Sequence, residues 1–593
     1  MWKVAIIDTG VRGNHPAFQN HRLDGLTIQN GCLNEDFEDN YGHGTAIYNI
    51  ISKEAKEGTQ IINIKVKSIE DGVDVNEIIE ALKYVETLGV NLVNMSLGST
   101  VCDNITEFQQ VCKKLRDSQI ILVSAFSNDG SISFPAAFEE VIGVSGDDRI
   151  VNASDYKVVD DTIINVLGKA GMQRLAWAKP DYMILGGSSF ACAHVTARIT
   201  HLVEPGAEFH EIQKVLYQNA IEVITVRKQE PIQNLFDMKR AVVFPFSKEI
   251  HSLLRFQELL NFEVIDVYDI KYSGKIGAGV KYLLSGEKCE DDLYVKNIEK
   301  IEWDSFDTLI LGHLDRYSER MKFDSFLDKI MMMVKKNNIN VFSCDDLSRY
   351  ELEKGHYYHP KIEKRNVPVN RQGKLYRYTK PVVGIFGTSS KQGKFTLQLM
   401  IRKKLLDLGY QIGQIGTEPT ALLYGMDYVF PMGYQSSVKI NDYEVVQYLN
   451  ECIHRLCSKE TDLILVGSQS GTIPYDAGNL SHCMFQQHSF LSATMPEVVI
   501  LCINVYDDFD YIERTIKYIE SYADSKVLSL VVFPMKIKNN WMGIYGNKEK
   551  ITEEEYKNIK SILQQRFHRT VYSINYEEEV DLLVEELINY FGE

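Results

Sequence analysis

The chain has 593 residues, more than one core accommodates, and its length points to about three or four domains. Hydrophobic residues make up 45% and charged residues 24%, an ordinary globular balance, while a net charge of -17 argues against a nucleic-acid binder, since phosphate contacts need a basic face. Ten cysteines without a single C-x-x-C pair are expected to be reduced, buried thiols rather than metal ligands or a disulfide framework.

Met1-Trp2-Lys3 runs directly into the apolar stretch Val4-Ala5-Ile6-Ile7, which Asp8-Thr9-Gly10 closes. This start shows no basic region followed by a long apolar segment and a cleavage site, so a cytoplasmic location without a propeptide is expected. His43 sits in Gly42-His43-Gly44-Thr45. Residues 72–88 predict an amphipathic helix with Val75, Ile78, Ile79, Leu82 and Val85 on one stripe, feeding a strand over 90–95. A second helix feeds a strand over 120–124, and such alternation implies a parallel sheet covered on both faces, a doubly wound α/β fold. Further on, Gly186-Gly187-Ser188-Ser189-Phe190-Ala191-Cys192-Ala193-His194-Val195 places Ser189 at the mouth of a buried helix, after small residues that admit a substrate backbone. A hydroxyl alone is a weak nucleophile and needs a base and an orienting acid, for which His43 and Asp8 are the candidates.

Taken with Asn94-Met95-Ser96-Leu97-Gly98, Ser127-Asn128-Asp129-Gly130 and Phe134-Pro135-Ala136, these motifs resemble the subtilase family, over a domain spanning 1–236. Asp-Thr-Gly alone also fits half of an aspartic-protease site, but no second copy occurs to complete the pair. The resemblance implies Ser189 as nucleophile, His43 as general base and then acid, Asp8 as the group that fixes the imidazole tautomer, and Asn128 as oxyanion donor. It also implies that a peptide or protein substrate adds as an extended strand along Ser96, Leu97 and Gly98. Ser127 and Ser133 stand where the family often has smaller residues, so a shallow pocket preferring small side chains before the cut is expected. Ala193 and Ser188 depart from the family's usual proline and threonine without removing a reacting group. His15 and His194 match family positions but read as structural histidines. No run of acidic residues fits an EF-hand, so calcium is not legible.

Around Met238 the chain restarts like an independent protein. Apolar strands over 241–246, 262–268, 307–312 and 339–343, with a helix over 326–334, suggest a small Rossmann-like domain over 237–366. Met331-Met332-Met333 reads as core packing. The glycines 274, 277 and 279 lack the G-x-G-x-x-G spacing of a dinucleotide loop. Polar, basic residues 354–380, with Pro360, Pro368 and the adjoining Pro381, are expected to link or cap domains.

The last segment, 367–593, opens on the buried strand Val382-Val383-Gly384-Ile385-Phe386, then Gly387-Thr388-Ser389-Ser390-Lys391-Gln392-Gly393-Lys394-Phe395-Thr396 and a helix. Backbone N–H groups of such a loop cradle phosphates while the lysine reaches the terminal ones, making Gly387, Ser389, Ser390, Gly393, Lys394, Phe395 and Thr396 candidates for nucleotide binding. The loop resembles that of dethiobiotin-synthetase-like P-loop proteins, in particular a two-domain family with a Rossmann-like front half. The implied cofactor is ATP or GTP with Mg2+. Val466 stands where relatives place an acidic residue, leaving Glu418 or Asp427 to supply a magnesium carboxylate. Glu553-Glu554-Glu555 and Glu577-Glu578-Glu579 read as solvated helix starts.

Together these readings describe a cytosolic serine endopeptidase fused to a nucleotide-binding module that regulates or assists it, similar to the maturation proteins that remove leaders from ribosomally made peptides. Two alternatives stand beside it. In one, the P-loop half is a ligase or kinase acting on an amino acid or peptide; in the other, the chain is a regulatory or defence protease triggered by nucleotide. A membrane span is not expected, and a homo-oligomer or a maturation complex is compatible with the sequence.

Overall fold

The computed structural model describes residues 1–592 except 20, 30–31, 67, 70–71, 103, 161–162, 226–228, 231–233, 286–292, 315–322, 354, 370–373, 477–482, 506, 534 and 538–547. Contacts divide the chain into two units, one made of Met1–Gln229 with Pro368–Thr379, the other of Glu230–Val367 with Lys380–Glu593. By contacts the first break falls at 229/230. Part of the basic linker packs with the first unit, and the Rossmann-like and P-loop segments share one set of contacts.

The first unit is built on a ten-stranded sheet. At its centre Lys3–Asp8 runs parallel to Gln60–Lys65 on one side and Leu92–Met95 on the other, and Ile121–Ala125 and Ile142–Asp147 continue outward in parallel. Side chains of Lys3–Asp8 alternate between two apolar layers. Val4 and Ile6 pack with Ile47, Ile51 and Ala191, whereas Ala5 and Ile7 pack with Ile78, Leu82 and Phe108. Both faces are thus covered, which is why the strand reads as an unbroken apolar run. The stretch expected as a helix over 72–88 is helical over Val75–Val85, followed by a single 3-10 turn at Glu86–Leu88. Asp74 caps it by accepting from Asn76 N at 2.8 Å, and Gly72–Val73 pairs instead with Ser68–Ile69.

The second unit holds two large, fully parallel sheets. One has six strands, with Arg240–Phe244 between Glu263–Asp269 and Thr308–Leu311, and Asn340–Ser343 beyond. The other has seven, with Val382–Gly387 between Leu463–Gly467 and Val498–Ile503. A common apolar cluster joins Ala241, Val243 and Ile250 to Leu399, Ala421 and Tyr424, so the two sheets share packing. In the helix Phe323–Asn337, Met331 is buried and Met332 is 63% exposed, so only part of the methionine triple packs the core. Helices start at Glu553 and Glu577, and the first carries a Thr552/Glu555 capping box. The cysteines among the described residues are free, and none of the described helices is long and apolar enough to cross a membrane.

Candidate functional sites

Three elements of the first unit meet beyond the carboxyl ends of the central strands. Asp8 is the last residue of the central strand, His43 the first of the helix His43–Glu54, and Ser189 the second of the helix Ser188–Leu202. His43 Nδ1 lies 2.7 Å from Asp8 Oδ1, which also accepts from Thr9 N at 2.8 Å. The glycines of Gly-His-Gly-Thr are there for close approach. A Cβ on Gly44 would sit 2.2 Å from Gly10 O, and one on Gly42 would strike the Trp177 ring at 2.6 Å.

Asp39, buried and not singled out by its sequence context, holds the loop before His43. Its Oδ1 accepts from Tyr41 N and Gly42 N at 2.9 and 2.8 Å, and its Oδ2 from Thr45 N and Thr45 Oγ1 at 2.9 and 2.6 Å. Burial, the largest single influence on His43, pulls its pKa down; the carboxylates of Asp8 and Asp39 more than offset this, and the pKa ends above its ordinary value of 6.5.

Ser189 Oγ donates to Ser96 O at 3.0 Å, and Ser96 Oγ donates to Ser189 O at 2.8 Å. Beneath them Asn94 Nδ2 donates to Ser96 Oγ at 3.1 Å, while Asn94 Oδ1 accepts from Thr196 Oγ1 at 2.8 Å. Asn128 Oδ1 accepts from Ser188 N at 2.8 Å, which leaves Nδ2 as the amide atom able to donate to an oxyanion beside Ser189. Gly98 passes so close to Phe134 O that a Cβ would come within 2.7 Å, and Ser99 pairs with Phe134 beyond it. Ser133 Oγ accepts from Ser127 N at 3.0 Å and is buried, whereas Ser127 Oγ donates to Asp129 Oδ1 at 2.7 Å. Of the two added hydroxyls, one is therefore turned into the loop's own backbone.

Both ring nitrogens of His15 and of His194 are taken up elsewhere. His15 meets Asp181 O at 2.7 Å and accepts from Ala17 N at 3.1 Å; His194 meets Glu54 Oε2 at 2.7 Å and Gln173 Oε1 at 3.1 Å.

In the second unit a cavity of about 460 Å³ is lined by Ser390, Gly393, Lys394, Phe395, Thr396 and Glu418 from the P-loop side. Gly387 and Ser389 lie behind it: Gly387 O accepts from Thr472 N at 2.9 Å, and Ser389 Oγ accepts from Asn504 Nδ2 at 2.8 Å. Phe395 packs edge-on against Tyr424 at 5.6 Å as well as reaching the cavity. Asp427 is engaged away from the loop, accepting from Gln414 N at 2.9 Å and from Lys459 Nζ at 2.7 Å. The opposite wall comes from the other sheet, where the helix Lys248–Arg255 contributes Lys248, His251, Ser252 and Arg255.

Lys394 is buried with its Nζ folded onto Ser389 O at 2.6 Å. Burial is the main cause that holds its pKa down to about 8; nearby Lys248 pushes the same way, while Cys502, Glu418 and Asp507 oppose. Burial, with Arg255 and Lys275, takes His251 down to about 4. These groups suit a phosphate: a turn at Gly393 with φ of +73°, a helix start at Lys394, and a desolvated lysine that has no carboxylate partner within hydrogen-bond reach among the described residues. Among the oxygen donors on the cavity wall, Thr396 and Glu418 could serve a magnesium ion. Among the described residues no cluster of three or more His, Cys, Asp or Glu side chains forms a ready-made metal site.

Fold and site together describe a subtilisin-like α/β domain followed in sequence by a P-loop-type α/β module. Residues 2–243 match the subtilase family, Peptidase S8, and residues 370–584 match the P-loop domain of unknown function DUF1611_C. The first match runs past Gln229 into a strand whose contacts belong to the second unit. The chain is 26% identical over 249 residues to the major intracellular serine protease of Bacillus subtilis, covering 39% of this chain and 76% of that one. A solved lanthipeptide protease aligns with 37% of this chain and 80% of its own at 18% identity and a TM-score of 0.32. A DUF1611 family protein from Anabaena variabilis aligns with 60% of this chain and all of its own at 13% identity and a TM-score of 0.44.

Proposed function

We propose that this chain is a serine endopeptidase in which Ser189 attacks the scissile carbonyl, His43 carries the proton and Asp8 holds the imidazole. The observation that carries the reading is the 2.7 Å contact of His43 Nδ1 with Asp8 Oδ1, at the carboxyl end of the central strand. That contact puts a proton on Nδ1 and leaves Nε2 as the base. The Ser189 hydroxyl leaves Ser96 O by a rotation about χ1 and delivers its proton to Nε2. His43 then protonates the departing amine, and water repeats the sequence on the acyl-enzyme. The oxyanion is received by Asn128 Nδ2 and by backbone N–H groups at the helix start.

The proposed substrate is one peptide precursor, cut to release a leader, with the protease acting in the cytoplasm. Support comes from the fusion itself. In the P-loop half, Ser390, Gly393 and Lys394 would hold the phosphates of ATP or GTP, and Thr396 with Glu418 the magnesium. The nucleotide supplies a charge whose presence biases the module between states. Because Lys394 binds an anion as the ammonium, affinity for ATP is expected to weaken by up to about tenfold per pH unit as pH rises through about 8, and to be flat below it. Calorimetric titration on either side of that value checks this, and an affinity unchanged across the window counts against the role of Lys394.

A fluorophosphonate probe added to the full chain tests the protease reading. Labelling is expected on the Ser189 peptide, absent in Ser189→Ala, and altered in rate by ATP or GTP. Labelling that persists in the variant sinks the assignment. A rate indifferent to nucleotide removes the regulatory link alone.

A second reading, a ligase or kinase, is favoured by Lys248 and Arg255 on the wall facing the loop, which suit a second, acidic molecule. Nucleoside diphosphate released only when an amino acid or peptide is added would support it.

A further inference from the structure

Residues 368–379 lie in sequence between two blocks of the second unit, yet pack with the first. Their target is the loop 127–133. Leu375 bridges to Ser131 in parallel register, with Leu375 N donating to Gly130 O at 3.0 Å and Ile132 N donating to Leu375 O at 2.9 Å. Arg377 Nη2 meets Asp129 Oδ2 at 3.1 Å, and Tyr376 packs partly buried against the apolar clusters of the protease sheet. Within this segment Lys374 is only 7% exposed, and its Nζ donates to Ser127 O at 2.7 Å across 247 positions of chain.

The Ser127 carbonyl and the Asn128 N–H belong to one planar amide. A charge-assisted bond to that oxygen fixes the plane from which the Asn128 side chain projects. From the other end Asn128 Oδ1 is held by Ser188 N at 2.8 Å, so the amide is clamped at its backbone and at its tip. We infer that Lys374 is a positioning residue for the oxyanion donor, supplied to the protease by the chain that connects the Rossmann-like and P-loop sheets. The inference rests on the reading of Asn128 and Ser189 given above. Burying an ammonium is costly, and methionine fills a similar volume, so packing alone does not call for a lysine here. Small misplacements of a catalytic group are expensive in rate, which is how a contact one residue removed from the donor reaches turnover.

The test uses the full chain and a peptide substrate, with active sites titrated by the fluorophosphonate so that only folded protein is counted. Lys374→Met is expected to lower kcat about tenfold with KM within about twofold, because the oxyanion exists only in the transition state. Lys374→Arg, which keeps the charge, is expected to recover kcat to within about threefold of wild type. In an Asn128→Ala background the same Lys374→Met change is expected to cost less than about twofold, since the donor it positions is gone. An equal loss in both backgrounds, or unchanged kcat in Lys374→Met while the wild type turns over, overturns the inference alone. A wild-type chain that is neither labelled nor active overturns it together with the reading of Ser189.

Discussion

Asp8→Asn is expected to lower kcat about 10,000-fold while moving KM little. Asp8 is 1% exposed, with Oδ1 shared between His43 Nδ1 and Thr9 N. Its Oδ2 is buried without a hydrogen-bond partner among the described residues. A carboxylate so poorly compensated gains strongly when the ring beside it becomes an imidazolium, and that is the charge the transition state creates. The amide of asparagine offers no charge and also permits the wrong imidazole tautomer.

The pH profile carries the same argument. His43 must be neutral to accept a proton, and its pKa lies above 6.5 because Asp8 and Asp39 outweigh burial. The acid limb of kcat/KM in the wild type is therefore expected above 6.5, and in Asp8→Asn it should move down as the larger of the two carboxylate effects is removed. The sign for stability is opposite. A raised folded-state pKa means that protonated His43 stabilises the fold, a contribution complete below 6.5 and lost as pH climbs through the raised value, where activity appears. Profiles of kcat/KM and of the unfolding midpoint from about pH 5 to 9 check both. A variant within about tenfold of wild type, or an acid limb that stays put, would remove Asp8 from the mechanism.

What the chain announces about itself is local. Asp8, His43 and Ser189 each sit where a strand ends or a helix begins, and the glycines around them mark close backbone approach, as Gly44 does against Gly10 O. Unbroken apolar runs such as Val4 to Ile7 reveal a parallel sheet buried on both faces because every position must be apolar there. What stays hidden depends on residues that meet only after folding. Asp39 reads as one more acid in an acidic loop, although its oxygens hold four donors around His43. Lys248 and Arg255 belong to a helix of another sheet, and nothing in their spacing points to the P-loop cavity they border. Lys374 looks like part of a basic linker, and only tertiary structure brings it to Ser127 O. Phe395, which interrupts the usual run of lysine and threonine, has its reason in the ring of Tyr424.

Asn128→Ala is expected to cost about 100-fold to 1000-fold in kcat, or about 2.7 to 4 kcal/mol of transition-state stabilisation, with KM nearly unchanged. Loss alone does not prove an oxyanion donor, because Asn128 Oδ1 also accepts from Ser188 N at 2.8 Å and so holds the start of the helix that carries Ser189. Asn128→Asp separates the two roles. A carboxylate keeps the acceptor for Ser188 N and the shape of the side chain, but it replaces the donating Nδ2 by an oxygen and sets a negative charge beside the forming oxyanion. If donation is the function, Asn128→Asp must be at least as impaired as Asn128→Ala, although its fold is better preserved. If holding Ser188 N is the function, the aspartate variant should recover most of the rate lost in the alanine variant. Kinetics of both variants, normalised to sites titrated by the fluorophosphonate and accompanied by unfolding midpoints, distinguish the outcomes, and recovery by aspartate would transfer the oxyanion to the backbone N–H groups alone.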